Sequence, residues 1–246
     1  MIAYGLTDRG LVRQLNEDSI YLSMEPVGIY PNLFMVADGM GGHLAGDYAS
    51  KHTIGFVHDF LANWEGEPEN GFQFAAVAAN RELLRRAVED PTRDGMGTTL
   101  VMLSVYDDHY LALNVGDSRI YGLFEGKLTQ ISKDHSWVEE MLALGYIEKD
   151  SEIYHAKKNI ITRAVGASPE IVPDLYRAEY QKDTSFLLCS DGLTNMMTDE
   201  KIGQILSGTD DVLRKTGKLV SGANDAGGVD NISVILITPK TQRGEL

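Results

Sequence analysis

The feature that most constrains this chain is a run of four strand-like segments separated by very short links. The segments cover residues 98–105, 110–115, 119–124 and 127–131 and are rich in β-branched and aromatic residues. The links Asp107-Asp108 and Glu125-Gly126 are turn-forming and too short for a crossover connection. Neighbouring segments should therefore pair as antiparallel hairpins.

The remaining segments predict further strands and two helical pairs. The other predicted strands cover residues 20–22, 33–37, 184–188 and 231–237. Helical spacing of apolar residues predicts helices over 45–61 and 72–88, separated by a loop at 65–71, and over 199–206 and 210–224. Strands and helices occur in separate blocks without βαβ alternation. We expect an α+β fold: a four-layer α-β-β-α sandwich with two antiparallel β-sheets flanked by helix pairs.

The length of 246 residues fits one core, so we expect a single catalytic domain over residues 1–240. Residues 136–163 mix aromatic, histidine and charged residues, and we interpret them as an irregular, flap-like insertion beside the core. Residues 241–246 read as a polar tail.

Composition excludes several partners and points to a compartment. The chain carries 22 basic and 36 acidic residues, a net charge of −14, so it lacks the basic surface that nucleic-acid binding requires. Cys189 is the single cysteine and cannot form an internal disulfide, which fits a reducing compartment. The sequence shows no signal-peptide pattern and no apolar stretch of spanning length. We therefore expect a cytoplasmic protein with neither nucleic-acid nor membrane partners.

Four aspartates lie beside glycine or asparagine at the ends of apolar runs: Asp38, Asp117, Asp191 and Asp230. A single Asp-Gly pair is most simply a turn or a helix cap. Four carboxylates converging at one edge would repel one another without a cation. Magnesium and manganese prefer such oxygen ligands and usually retain waters suited to hydrolysis.

The wider pattern around these aspartates resembles the metal-dependent protein phosphatases of the PPM family, also called type 2C, in its bacterial form. The resemblance is carried by six motifs: RQLNEDS at 13–19, DGMGG at 38–42, GMGTT at 95–99, GDSR at 116–119, CSDGL at 189–193 and VDNIS at 229–233. Their order and spacing agree with the family from about residue 8 to residue 237.

The resemblance implies a site for two divalent cations, Mn²⁺ or Mg²⁺. Asp38 would bridge the two ions, and Asp191 and Asp230 would complete one of the two sites. The carbonyl of Gly39 would serve the other ion, which Glu17 would hold through water. A water or hydroxide bridging the ions would then attack phosphorus.

The resemblance assigns roles to three further residues. Asp18 would orient the attacking water, and Arg13 would bind the substrate phosphate through two parallel hydrogen bonds. Without its motif, Arg13 would be read as an exposed surface arginine. Asp117 would support a third, weaker metal with Asp191, or it would serve only to stabilise its turn.

The source of the proton for the leaving group stays open. Eukaryotic relatives have a histidine directly after the Asp-Gly pair, whereas this chain has Met40. Water or His43 could donate the proton, and we favour water. His135 and His155 could contact substrate, but we expect both to be surface histidines.

The predicted function is hydrolysis of phosphoserine and phosphothreonine in proteins, by a protein-serine/threonine phosphatase that opposes a bacterial Ser/Thr kinase. The expected partners are phosphorylated proteins, including that kinase and its substrates, and we expect a monomer. One alternative is a catalytically silent, phospho-binding regulatory scaffold on the same fold. Another is a sandwich stabilised by calcium, which would not explain Arg13.

Overall fold

The computed structural model describes residues 1–41, 45–149 and 151–239. The predicted tail at 241–246 lies outside the described residues. In chain order the strands are β1 (Ile2–Asp8), β2 (Asp18–Ser23), β3 (Leu33–Met40), β4 (Gly97–Thr98), β5 (Leu100–Val105), β6 (His109–Val115), β7 (Arg119–Phe124), β8 (Lys127–Gln130), β9 (Asp174–Glu179), β10 (Ser185–Cys189) and β11 (Ile232–Thr238).

The helices fall into two pairs and three short pieces. They are α1 (Ala45–Ala62), α2 (Pro68–Glu89), α3 (Trp137–Ala143), α4 (Glu152–Lys157), α5 (Asp191–Thr194), α6 (Asp199–Ser207) and α7 (Val212–Asp225), with a 3-10 turn at Pro91–Arg93. The helix α2 begins with proline in its first turn, where no intrahelical N–H bond is lost. Asp211 caps α7 by accepting a hydrogen bond from the amide of Arg214.

The described strands form two sheets in which every pairing is antiparallel. The first has the order β1-β11-β10-β7-β8, and the second has the order β2-β3-β5-β6-β9, with β4 paired to β3. The predicted hairpins β5-β6 and β7-β8 are present, whereas β6 and β7 lie in different sheets. The link at 116–118 therefore crosses from one sheet to the other.

Three buried apolar cores separate four layers. One lies between α1, α2 and the second sheet, the next lies between the two sheets, and the third lies between the first sheet and α6 and α7. Fully buried members of these cores include, in that order, Leu61 and Phe72, Phe34 and Phe186, and Leu187 and Leu219. The predicted four-layer α+β sandwich is confirmed.

Three details depart from the sequence predictions. Strands β1 and β9 were not predicted, and residues 68–71, expected in a loop, form the first turn of α2. The segment 136–163, expected to be irregular, contains the short helices α3 and α4, each begun by a serine N-cap. Within the described ranges, no helix is both long and apolar enough to cross a membrane.

Candidate active site

The second sheet contributes two aspartates that face each other across neighbouring strands. Asp18 begins β2 and stands opposite Asp38, near the end of β3. The backbone at Asp38 is fixed by Thr99, whose hydroxyl accepts from the Asp38 amide at 2.9 Å and whose amide donates to the Asp38 carbonyl at 2.9 Å. These bonds hold Asp38 at the edge of the sandwich.

The first sheet contributes two more aspartates from adjacent strands. Asp191 is the first residue of α5, directly after β10, and Asp230 precedes β11. The side-chain amide of Asn195 donates to Asp191 Oδ2 at 2.8 Å. Because β10 and β11 are antiparallel neighbours, Asp191 and Asp230 lie at the same edge of the first sheet. Both act on Asp38 electrostatically, so they also lie near the pair on the other sheet.

Burial and mutual repulsion make this carboxylate cluster costly when it is fully ionised. Burial, together with the charges of nearby aspartates, raises the pKa of Asp18 to about 7 and that of Asp38 well above its usual range. Burial also raises the pKa of Asp191, with Asp230 as the largest charge contribution. The charge of Asp191 in turn contributes to the raised pKa of Asp38, so these two carboxyls lie close together.

The cluster fits divalent cations. Within the described part of the chain, one buried carboxylate oxygen of each of Glu17, Asp18, Asp117 and Asp191 has no hydrogen-bond partner. A cation would satisfy such oxygens and replace the proton that paired carboxyls otherwise share. Among the same residues, no three acidic, histidine or cysteine side chains enclose a metal position by themselves.

Glu17 lies where two backbones come unusually close. A Cβ on Gly39 would lie 2.1 Å from the carbonyl oxygen of Gly46 and 2.6 Å from that of Glu17, so no side chain fits there. A Cβ on Gly46 would lie 2.5 Å from Glu17 Oε1. Burial raises the pKa of Glu17, and the charge of Arg13 opposes the rise.

Arg13 lies at the open side of the cluster. Its Nη2 donates to Asp230 Oδ2 at 2.7 Å, and the Arg13 side chain remains 50% exposed. Asp230, Glu17 and Asp38 all raise the pKa of Arg13. Arg13 therefore offers an accessible cation directly beside the buried carboxylates.

Two residues that hold this site together were not assigned a role from the sequence. Ser190 Oγ donates to Asp18 Oδ2 at 2.8 Å and thereby ties the two sheets together. The side chain of Asn231 accepts from the Glu17 amide at 2.9 Å and donates to the carbonyls of Arg9 and Leu15, each at 2.8 Å. Ser190 and Asn231 both lie within the motifs quoted above, and this position was the only sequence signal that they belong to the site.

Asp117 lies in the link that crosses between the sheets. Asp117 is 6% exposed. Burial is the largest cause of its raised pKa of about 8, and the charge of Asp191 is the next largest. The side chain of His135 braces this link, because its Nδ1 accepts from the Gly116 amide at 3.1 Å and its Nε2 lies 3.2 Å from Asp174 Oδ2. These contacts of His135 were not predicted from the sequence.

Of the two predictions of a surface histidine, one is right and one is wrong. His155 is exposed, as predicted, but the prediction of a surface histidine at 135 is wrong, because His135 is 1% exposed. Met40 ends β3 and pairs with Gly97. His43, the alternative proton donor, lies outside the described residues.

A cleft of about 430 Å³ extends from Asp117 and Asp191 towards the segment 136–163. The segment contributes Lys149, His155 and Lys158 to its lining. A second cavity of about 680 Å³ lies beside α1, but its lining contains none of the site carboxylates. Of these two cavities, the cleft is the one lined by site carboxylates.

Comparison with known proteins defines the class. The protein phosphatase 2C family model matches residues 12–224, and the chain belongs to this family. The predicted resemblance and the predicted enzyme class, a protein-serine/threonine phosphatase, are confirmed.

Individual relatives match over nearly their whole length. The chain is 36% identical to the serine/threonine phosphatase stp of Listeria monocytogenes, covering 97% of this chain and 96% of the relative. The serine/threonine phosphatase structure of S. agalactiae has a TM-score of 0.90 at 31% identity, covering 97% of this chain and 99% of the other. The catalytic domain of the phosphatase PstP, solved with two manganese ions, has a TM-score of 0.82 at 34% identity, with 96% of each chain covered.

Proposed function

We propose that this phosphatase hydrolyses phosphoserine and phosphothreonine in proteins with two divalent cations, Mn²⁺ or Mg²⁺, held by the carboxylate cluster. The observation that carries the proposal is the convergence of buried carboxylates with unpartnered oxygens beside the half-exposed Arg13. When bound, such ions would lower the pKa of a water molecule between them and so supply the nucleophile.

We assign each carboxylate to one or both ions according to its position in the cluster. Asp38 is central, since Asp18, Asp117, Asp191 and Asp230 all raise its pKa, and it would contact both ions. Asp191 and Asp230 would complete one ion's ligands, and the Gly39 carbonyl and Glu17 the other's. Asp117 would support a third ion with Asp191.

Arg13 would bind the phosphate. A guanidinium can donate two parallel hydrogen bonds to phosphate oxygens, and Arg13 Nη2 is already oriented by Asp230. Asp18, held by Ser190, would accept a hydrogen bond from the attacking water and align it with phosphorus.

The reaction forms a bond between the water oxygen and phosphorus and breaks the bond to the serine or threonine oxygen. The leaving oxygen must gain a proton because an alkoxide is a poor leaving group. The thioether of Met40 has no proton to give, so we assign this donation to water.

Several broader assignments rest on the same family relation. We infer a single catalytic domain over 1–240 that acts as a monomer in the cytoplasm on phosphorylated proteins and opposes a Ser/Thr kinase. We also infer that the segment 136–163 influences substrate choice through Lys158, which lines the cleft, while Lys157 lies 4.6 Å over the ring of Trp137. Exchanging this segment for that of a relative should change the ranking of phosphopeptide substrates, and an unchanged ranking would remove its proposed role.

The first test measures hydrolysis of p-nitrophenyl phosphate against manganese concentration at neutral pH, followed by a phosphothreonine peptide. Asp38→Asn should abolish turnover and weaken manganese binding in calorimetry. Asp59→Asn is the matched control, because the Asp59 side chain is 82% exposed on α1. Wild-type protein that binds manganese yet turns over neither substrate would favour the silent scaffold.

A further inference from the structure

Exposed apolar residues flank the arginine of the site and its partner Asp230 along the sequence. Leu11 and Val12 are 66% and 64% exposed, and Leu15 and Val229 are 46% and 47% exposed. All four lie within two residues of Arg13 or directly beside Asp230 in the sequence. We call these four residues the apolar ledge.

The apolar ledge is held in place by backbone hydrogen bonds. The amides of Leu11 and Val12 both donate to the carbonyl of Gly228, at 2.7 Å and 3.3 Å. The carbonyl of Leu15 accepts from Asn231 at 2.8 Å. The two loops are therefore tied to each other, and the exposure of their side chains is a property of the ordered fold.

The other approach to the site has the opposite character. The cleft beside Asp117 is lined by Lys149, Lys158, Glu139 and Glu200 as well as by the site aspartates. A polypeptide with its phosphate at Arg13 would thus meet charged groups on one side and apolar groups on the other.

We propose that the apolar ledge binds an apolar side chain of the phosphoprotein substrate, next to the phosphorylated serine or threonine. This inference rests on the proposed function, because the phosphate must first be placed at Arg13. Adjacent residues of an extended chain lie about 3.5 Å apart, so a neighbour of the phosphorylated residue stays close to Arg13 and to the residues beside it in the chain. Exposed apolar clusters rimmed by polar groups are typical of interaction sites.

The position of the apolar ledge favours a substrate segment over a second copy of this chain. A second copy seated on these residues would cover Arg13 and exclude substrate. A short segment instead buries the ledge only while the phosphate is bound.

The experiment uses the whole chain with manganese and a set of phosphothreonine peptides. The peptides differ only in leucine or serine at the positions immediately before and after phosphothreonine. The quantity compared is the ratio of kcat/KM for the leucine peptide to that for the serine peptide, because this ratio cancels any general loss of activity. Wild-type protein should prefer leucine at one position roughly fivefold, less than a closed pocket would give.

Val12→Ser and Val229→Ser should each bring this ratio close to one. The control is Val88→Ser, at the exposed end of α2, where the side chain is 85% exposed and the wild-type ratio should persist. Light scattering on each variant reports the oligomeric state.

Four results would overturn the inference. The wild type could show no preference while hydrolysing p-nitrophenyl phosphate, which would leave the proposed function intact. The preference could persist in both variants, or the variants could instead change a dimer into a monomer, which would assign the ledge to a second copy. Absence of all turnover would remove the proposed function and this inference together.

Discussion

Replacing Asn231 by alanine should destabilise the protein by about 3 kcal/mol and weaken metal binding. Asn231 is 4% exposed, and its side chain makes three hydrogen bonds to the loop before β2: one from the Glu17 amide and two to the carbonyls of Arg9 and Leu15. Each such bond contributes about 1 kcal/mol net, so the loss of all three gives the stated value. For a chain of this length the melting temperature should fall by roughly 6–12 °C.

The assay combines urea unfolding with manganese titration. Asn231→Ala should lower the free energy of unfolding and raise the manganese concentration for half-maximal activity, because the loop that carries Arg13 and Glu17 loses its anchor. Asn63→Ala is the matched control, since its exposed side-chain amide makes a single hydrogen bond, to the carbonyl of Asp59 at 2.8 Å. That control should cost less than about 1 kcal/mol.

A nearly isosteric variant separates hydrogen bonding from packing. Asn231→Asp keeps the acceptor for Glu17 but places carboxylate oxygens against the carbonyls of Arg9 and Leu15, so it should be at least as destabilising as alanine. The reasoning is refuted if Asn231→Ala unfolds within about 0.5 kcal/mol of wild type, or if the aspartate variant is as stable as wild type.

Three further predictions concern other parts of the site. Asp134→Ala removes the ion-pair partner of Arg119, whose side chain is 22% exposed, and should lower the free energy of unfolding in urea by about 3 kcal/mol; a change below about 1 kcal/mol would contradict this. Gly46→Ala places a Cβ 2.5 Å from Glu17 Oε1 and should raise the manganese concentration for half-maximal activity about tenfold, whereas Gly55→Ala, with open space around it, should leave that concentration unchanged. Burial lowers the pKa of folded His135, so the unfolded chain binds its proton more readily and the contribution of His135 to stability should decline as pH falls below about 6.5. The difference in free energy of unfolding between wild type and His135→Asn should therefore shift against wild type as pH falls from 8 to 5, and parallel curves would contradict this cause.

Local patterns in the sequence predicted much of the fold because those elements are determined locally. The hairpins β5-β6 and β7-β8 were predicted from turn-forming links of a few residues, and the four long helices from apolar spacing. The strand β9 was missed because its sequence, DLYRAE, is a polar edge strand without clear alternation. The helices α3 and α4 have seven and six residues, too few for a periodic signal.

The candidate site was predictable where its chemistry depends only on which residue types are present. Repulsion among aspartates implied a cation, and the structure places Asp18, Asp38, Asp191 and Asp230 together. The partners that fix these groups were not predictable, because they depend on contacts between distant segments. Ser190 and Asp18, for example, are 172 positions apart in the sequence.

The position of β11 has a consequence for when the enzyme can first act. It is the last strand of the described chain, yet it lies between β1 and β10 inside its sheet. During synthesis, the N-terminal strand β1 must wait without its partner until residues 232–238 have left the ribosome. Asp230 lies just before these residues, so a growing chain that is still short of this point has neither the complete sheet nor its full set of site carboxylates. We therefore expect phosphatase activity only after residues 232–238 have been synthesised.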